Sequence, residues 1–187
     1  MSNLINLVSN AQAILLDRDG CLNRKSENSR YVEKSTDIEF YSDAVEFVRV
    51  AVEKGLRIAV ITNQQGISKN LYKLDDVIQM HQELCKLANV KFEDIALFVC
   101  PHEDATCDCR KPSPKMLLQA CGHFQVLPES AIFIGDSESD MQAAENAGMP
   151  FISMVRILES SEKPEDSRTA NDFKLLTSIL QNRGTKN

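Results

Sequence analysis

The sequence predicts an α/β fold, an open parallel sheet flanked by helices, on three observations. Short apolar runs alternate with longer amphipathic segments along the chain. The runs "AILLD", "LRIAVIT", "IALFVC" and "AIFIGD" show no polar alternation, the pattern of strands buried on both faces. A length of 187 residues with 43% apolar content suits one compact domain spanning 1–187.

The elements follow in order. "AILLD" (13–17) starts the sheet. "DAVEFVRVAVEKG" (43–55) reads as a helix, with Asp43 and Glu46 spaced as a capping pair and Gly55 as the stop. "LRIAVIT" (56–62) is the second strand, "LDDVIQMHQELCKLA" (74–88) the next helix and "IALFVC" (95–100) the third strand. Ser113 and Pro114 mark a helix start, and Gly122 and Gly148 mark stops, bracketing the strand "AIFIGD" (131–136) and the helix "SDMQAAENAG" (139–148). "PFISMV" (150–155) adds a last strand and "NDFKLLTSILQ" (171–181) a terminal helix. The polar stretch "ESSEKPEDSRTA" (159–170) between them, with the last residues, is expected to be mobile.

Charge and hydropathy narrow the partners. A net charge of −6 provides no basic field for nucleic acid. No apolar run approaches the roughly 18 residues of a membrane span, and the N-terminal stretch does not read as a secretory leader. The expectation is a soluble cytoplasmic protein with neither nucleic acid nor membrane as partner.

The loop "FVCPHEDATCDCRKP" (98–112) collects Cys100, His102, Cys107 and Cys109. Without its three cysteines, Cys21, Cys85 and Cys121 remain, an odd and scattered set that argues against a disulfide framework. Three thiolates and an imidazole make up the Cys₃His set of a closed, structural Zn²⁺ site spanning about 100–109. A redox C-x-C pair is the alternative.

Reactive residues also gather at the carboxyl ends of the expected strands, where ligands bind in open α/β sheets. Asp17 and Asp19 end the first strand, on the same side of the chain by alternation. Two such carboxylates need a cation, or a proton on one of them. Thr62 and Asn63 end the second strand. Arg110 and Lys111 follow the cysteine loop, and Asp136 ends the fourth apolar run, with Asp140 one helical turn on. Singly, each has a plain structural reading as turn, strand-end hydroxyl, solvated charge or helix cap. Jointly, that account needs four coincidences.

The ordered set "DRDG", "ITN", "RKP" and "GDSESD" resembles the four motifs of the haloacid dehalogenase superfamily in its phosphatase branch, over most of residues 12–150. The resemblance implies a Rossmann-like, haloacid dehalogenase-like fold and a Mg²⁺-dependent phosphohydrolase working through an aspartyl-phosphate. By this match Asp17 is the nucleophile and Asp19 the general acid and base. Thr62 and Lys111 hold the phosphoryl group, and Asp17, the Asp19 carbonyl and Asp136 bind Mg²⁺. Asp140 is then an acceptor toward Lys111 rather than a ligand. These residue types suit the chemistry, because a carboxylate attacking a phosphate ester needs nearby cations and a proton donor for the leaving alkoxide. The stretch between "DRDG" and the next helix is too short for a folded cap domain.

The cysteine loop with "RKP" resembles heptose 1,7-bisphosphate phosphatases and the related histidinol-phosphate phosphatases. "RKPSPKMLLQA", "TNQQGI" and "DMQAAENAG" favour the heptose branch. That resemblance implies a small phosphorylated sugar as substrate, contacted by Thr62, Asn63, Gln64, Arg110 and Lys111. "GISKN" departs from the family's usual Gly-Ile-Ala-Arg-Gly, offering Lys69 in place of an arginine. Arg18 is expected to point away from its flanking aspartates, His81 and His123 to be structural or solvated, and Cys21 to pack. Tyr31 either flanks the substrate or packs.

Overall fold

The computed structural model describes residues 2–25, 31–103, 107–156 and 169–183. Among the described residues, six strands form one parallel sheet in the order β3-β2-β1-β4-β5-β6. They are β1 Ala13–Leu16, β2 Arg57–Asn63, β3 Ile95–Cys100, β4 Ala131–Gly135, β5 Phe151–Met154 and β6 Thr169–Ala170. The helices are α1 Ser2–Asn10, α2 Ser42–Glu53, α3 Leu74–Ala88, α4 Lys115–Phe124, α5 Glu138–Ala147 and α6 Lys174–Gln181.

Strand β1 shows why the sheet lies between two helical layers. All four of its residues are buried, and they alternate. Ile14 and Leu16 pack with Phe47, Leu84, Phe173 and Leu180 of the layer built by α1, α2, α3 and α6. Ala13 and Leu15 pack with Leu117, Ala120 and Ala144 of the layer built by α4 and α5. The chain runs outward from β1 to β3, then crosses to β4 on the other side of β1. The switch point therefore lies between β1 and β4, where loops diverge and leave a crevice. Asp17 follows β1 and Asp136 follows β4, so both acidic residues open onto it.

Several boundaries differ from the sequence reading. Helix α1 and strand β6 are additional elements. Helix α2 starts at Ser42, and Asp43 does not cap it. Instead Asp43 Oδ2 accepts from Arg156 Nη1 and from the Phe173 backbone N–H, each at 2.7 Å, tying α2 to the C-terminal elements. Gly122 lies within α4, which ends three residues later on Gln125 in the left-handed region (φ 56°). Gly55 and Gly148 do serve as helix stops, with φ of 71° and 66°. Residues 157–168 and 184–187, including most of the stretch expected to be mobile, lie outside the described residues.

Asp43→Ala strands a half-buried guanidinium and a backbone donor, so we expect a loss of about 2 kcal/mol. An unchanged urea midpoint would show that this pair carries no weight.

Among the described residues no helix is long and apolar enough to cross a membrane. The chain leaves the sheet edge at Arg24 and returns at Glu39, whose carbonyl accepts the Arg24 N–H at 2.9 Å. That excursion is far below the roughly 40 residues a self-supporting domain needs. Among the described residues, this segment builds no covering domain over the crevice.

Candidate active site

Asp17 sits in the crevice because its N–H donates to the Ile134 carbonyl at 2.8 Å, continuing the β1–β4 pairing by one residue. Lys111 arrives from the loop after β3 and places its ammonium 2.5 Å from Asp17 Oδ1 and 2.6 Å from Asp140 Oδ1. It also donates to the Ile61 carbonyl at 3.1 Å. All three side chains are almost fully enclosed. Asp140 keeps its second oxygen for the start of α5, accepting from Ser137 Oγ at 2.6 Å in a capping box. Asp140 thus meets Lys111 as an ion-pair partner.

Burial pushes the Asp17 carboxyl up to about 8; Lys111 opposes this, while Asp140 and Asp136 add to it. Lys111 is desolvated too, but its two carboxylate partners prevail and hold it well above the usual lysine range. It is thus a fixed cation. One oxygen from each of Asp17, Asp136 and Asp140 falls within 4.8 Å of the others. Such a set of hard oxygen donors, in a site where burial penalises their negative charge, fits Mg²⁺.

Lys25 arches over Gly20 to Asp136 Oδ2 at 2.6 Å. Gly20 has φ +98°, and a Cβ there would collide with both Asp136 and Lys25, so glycine is needed for conformation and for space.

The Arg18 side chain takes a different path from the one alternation predicts. Strand β1 ends at Leu16, so the two-residue period no longer governs Arg18. The Arg18 guanidinium turns onto Asp19, with Nε and Nη2 each 3.1 Å or less from its oxygens, and its Nη1 rests 3.2 Å from Met80 Sδ. The expectation that Arg18 points away is therefore corrected. Asn23 Nδ2 and Gln64 Nε2 also donate to Asp19, at 3.1 and 2.7 Å. Burial works to raise Asp19, but the Arg18 charge and these hydrogen bonds prevail and hold it below the usual carboxylate range.

At the end of β2 the side chains face inward. Asn63 exchanges two hydrogen bonds with the Lys111 backbone: Nδ2 to the carbonyl at 3.2 Å, and Oδ1 from the N–H at 3.1 Å. Gln64 is 2% exposed and spends its amide on Asp19, on Thr62 Oγ1 (2.7 Å) and on the Tyr72 hydroxyl (2.6 Å). Of the five side chains expected to contact substrate, Asn63 and Gln64 thus have their polar atoms engaged within the protein. Arg110 donates to the His102 carbonyl at 3.1 Å on the rim.

The cysteine loop brings three of its four expected ligands together. The sulfurs of Cys107 and Cys109 are 2.8 Å apart, those of Cys109 and Cys100 3.0 Å, and those of Cys100 and Cys107 3.6 Å. His102 is exposed and stands outside this group. Burial raises Cys100 and Cys109, and for Cys109 the neighbouring thiols add to it. Cys107 is also desolvated, yet hydrogen bonds from Cys109 and Cys100 hold it below the usual range. Crowded thiols can shed their second and third protons only beside a cation, and sulfur donors select a soft one such as Zn²⁺.

Two hydrogen bonds stitch this loop to the end of β2: Gln64 N–H to Cys100 O at 2.7 Å and Ser68 N–H to Pro101 O at 3.2 Å. Lys69 adds a strap, 2.7 Å from Glu103 and 3.2 Å from the Tyr31 hydroxyl. Tyr31 also lies edge-on to Tyr72, so it packs into the rim. His81 is buried against the Ile95 carbonyl at 2.9 Å, and Cys21 is buried, as expected of structural residues. His123 lies among Phe98 and Phe124.

The profile of the haloacid dehalogenase-like hydrolases matches residues 7–148. The chain belongs to this family. It is 32% identical over 173 residues to D-glycero-beta-D-manno-heptose-1,7-bisphosphate 7-phosphatase of Helicobacter pylori, covering 91% of this chain and 98% of the relative. Identity to D-glycero-alpha-D-manno-heptose-1,7-bisphosphate 7-phosphatase of Campylobacter jejuni is 34% over 170 residues, covering 90% and 94%. Among solved structures, the D,D-heptose 1,7-bisphosphate phosphatase of B. bronchiseptica, complexed with magnesium and phosphate, superposes with a TM-score of 0.74 at 26% identity, covering 91% of this chain and 98% of that one. The six-stranded parallel sheet flanked by helices is the haloacid dehalogenase-like fold expected from the sequence.

Arg18, Lys25 and Tyr72 reach the site without having been singled out for it. Lys25 had a signal, a cation close after the aspartate motif; the partners of Arg18 and Tyr72 depend on loop shape.

Proposed function

We propose that this haloacid dehalogenase-like hydrolase is a cytoplasmic phosphomonoesterase that removes the 7-phosphate from D-glycero-D-manno-heptose 1,7-bisphosphate. The observation that carries the reaction class is the enclosed Asp17–Lys111–Asp140 group with Thr62 and Asp19 beside it. The substrate follows from the relatives, which are named for that activity over nearly the whole chain.

In this reading Asp17 attacks phosphorus in line and forms the aspartyl-phosphate, while Lys111 and the Thr62 hydroxyl hold the phosphoryl oxygens. Asp17, the Asp19 carbonyl and Asp136 would hold Mg²⁺, which when bound neutralises charge on the phosphoryl group. Asp140 keeps Lys111 charged and aimed. Asp19, gripped by Arg18, is stored as the carboxylate that activates water in the second half-reaction. As the phosphoryl anion arrives, its like charge raises the Asp19 pKa, and Asp19 takes up a proton from solvent that it then gives to the leaving alkoxide in the first half. Arg110 stands on the rim as a contact for the sugar bisphosphate, and Asn63 serves by holding the Lys111 backbone. Cys100, Cys107 and Cys109 would hold a structural Zn²⁺, with His102 turning inward as the fourth ligand.

The test is Mg²⁺-dependent phosphate release from heptose 1,7-bisphosphate, with ³¹P NMR of the product and histidinol phosphate as comparison. Expected is a heptose 1-phosphate and strong preference for the bisphosphate. Preference for histidinol phosphate would overturn the substrate assignment. Running both anomers decides between the specificities named for the two relatives.

A further inference from the structure

We infer that Tyr72 is a positioning residue for phosphoryl transfer, acting through the Gln64 amide on Thr62 and Asp19. The inference rests on the reading of Thr62 as a phosphoryl-holding hydroxyl.

The polarity of the network is fixed by its ends. The Asp19 oxygens already accept from Arg18 and Asn23, and Gln64 turns its amide nitrogen to them at 2.7 Å. The carbonyl oxygen then faces Tyr72, and because a carbonyl only accepts, the Tyr72 hydroxyl at 2.6 Å must donate. Burial pushes that phenol up to about 12, so it retains its proton throughout the working range. The second amide hydrogen goes to Thr62 Oγ1 at 2.7 Å. An amide nitrogen of this kind cannot accept, so the Thr62 hydroxyl proton must point elsewhere, leaving it available to a phosphoryl oxygen. One phenol thus sets the direction of a proton two side chains away.

Space for this arrangement comes from Gly66. A Cβ there would overlap the Tyr72 ring, 2.7 Å from its hydroxyl oxygen. Gly66 lies in the loop after β2, and its lack of a side chain lets the ring close over that loop and reach Gln64. Tyr72 and Gln64 are both buried, so neither is placed to bind the sugar directly. Without the phenol, the Gln64 carbonyl loses its donor in an enclosed site, and rotation of the amide would press that oxygen against the Asp19 carboxylate.

The test is a kinetic cycle of Tyr72→Phe, Gln64→Leu and the double variant, using p-nitrophenyl phosphate with Mg²⁺ and thermal melts in parallel. Tyr72→Phe is expected to lower kcat about tenfold at an almost unchanged melting temperature, and Gln64→Leu to lower it at least as much. In the Gln64→Leu background Tyr72→Phe should have no further effect. Wild-type kcat in Tyr72→Phe, or losses that multiply in the double variant, would overturn the inference. If Gln64→Leu does not fold, Gln64→Met, which also removes the amide, supplies the second background with the same expectation. Because p-nitrophenyl phosphate carries no sugar, failure of the heptose assignment leaves this result readable, and failure of the relay leaves the substrate assay untouched.

Discussion

Asp17→Asn is expected to lower phosphate release by at least about a thousandfold while leaving the protein folded. The loss is large because an amide does not form the covalent phosphoryl intermediate. The fold survives because the replacement keeps the shape of the side chain, and Lys111 retains Asp140 and the Ile61 carbonyl. Stability should also respond in a definite direction. The Asp17 pKa rises from an ordinary 3.8 to about 8 in the folded protein, so the folded state holds that proton more tightly than the unfolded chain does. The stability cost of ionising Asp17 therefore grows as pH climbs from about 4 toward 8. Chelator-treated Asp17→Asn should then melt no lower than wild type at neutral pH, the signature of a residue retained for chemistry against stability. Residual turnover near the wild-type rate would exclude the covalent role, and a sharply lower melting temperature would exclude the stability argument.

Cys109→Ser should lower zinc content, melting temperature and kcat together. Cys109 immediately precedes Arg110 and Lys111, and its sulfur is within 3.0 Å of those of Cys100 and Cys107. A soft metal closing this group would fix the loop that carries the phosphoryl-binding ammonium. Loosening it should cost at least tenfold in kcat through lost preorganisation. Elemental analysis of the purified protein is expected to give one zinc per chain in the wild type and clearly less in the variant. A wild type without zinc, or a zinc-depleted variant with full activity, would remove this role from the loop.

The sheet was legible because its strands are buried on both faces, and a short, continuous Ile/Val-rich run bounded by turn residues suits a buried strand better than a helix. Helix α1 carried a signal as well, since Leu4 and Val8 are spaced one turn apart and both are buried. Strand β6 carried none, being two residues in a polar stretch. Asp43 had the local pattern of a helix cap, and a long-range partner, Arg156, claimed it. Within the candidate site, strand-end position put Asp17, Thr62 and Asp136 on one edge, because parallel strands bring their ends there whatever their order along the chain, and Lys111 reaches that edge from the loop after β3. The relation of Arg18 to Asp19 failed because side-chain alternation holds only while the strand lasts. The inward turn of Asn63 and Gln64 was invisible for a related reason. Both bond residues distant in the chain, Lys111 and Asp19, and a motif records identity and spacing but not which way an amide turns.

That inward turn separates two kinds of freedom. The groups that would act on phosphorus are interlocked, so changing one disturbs its neighbours through shared hydrogen bonds. Lys69, Glu103 and Arg110 stand on the rim in loops and on the solvent side, where substitutions away from special contacts usually shift stability by no more than about 0.5 kcal/mol. Descendants of this chain could thus explore new substrates by altering the rim, at little cost to folding, while inheriting the reaction intact. The residues of "GISKN" that depart, Ser68, Lys69 and Asn70, fall on that permissive side, while Gly66 is held by its contact with Tyr72.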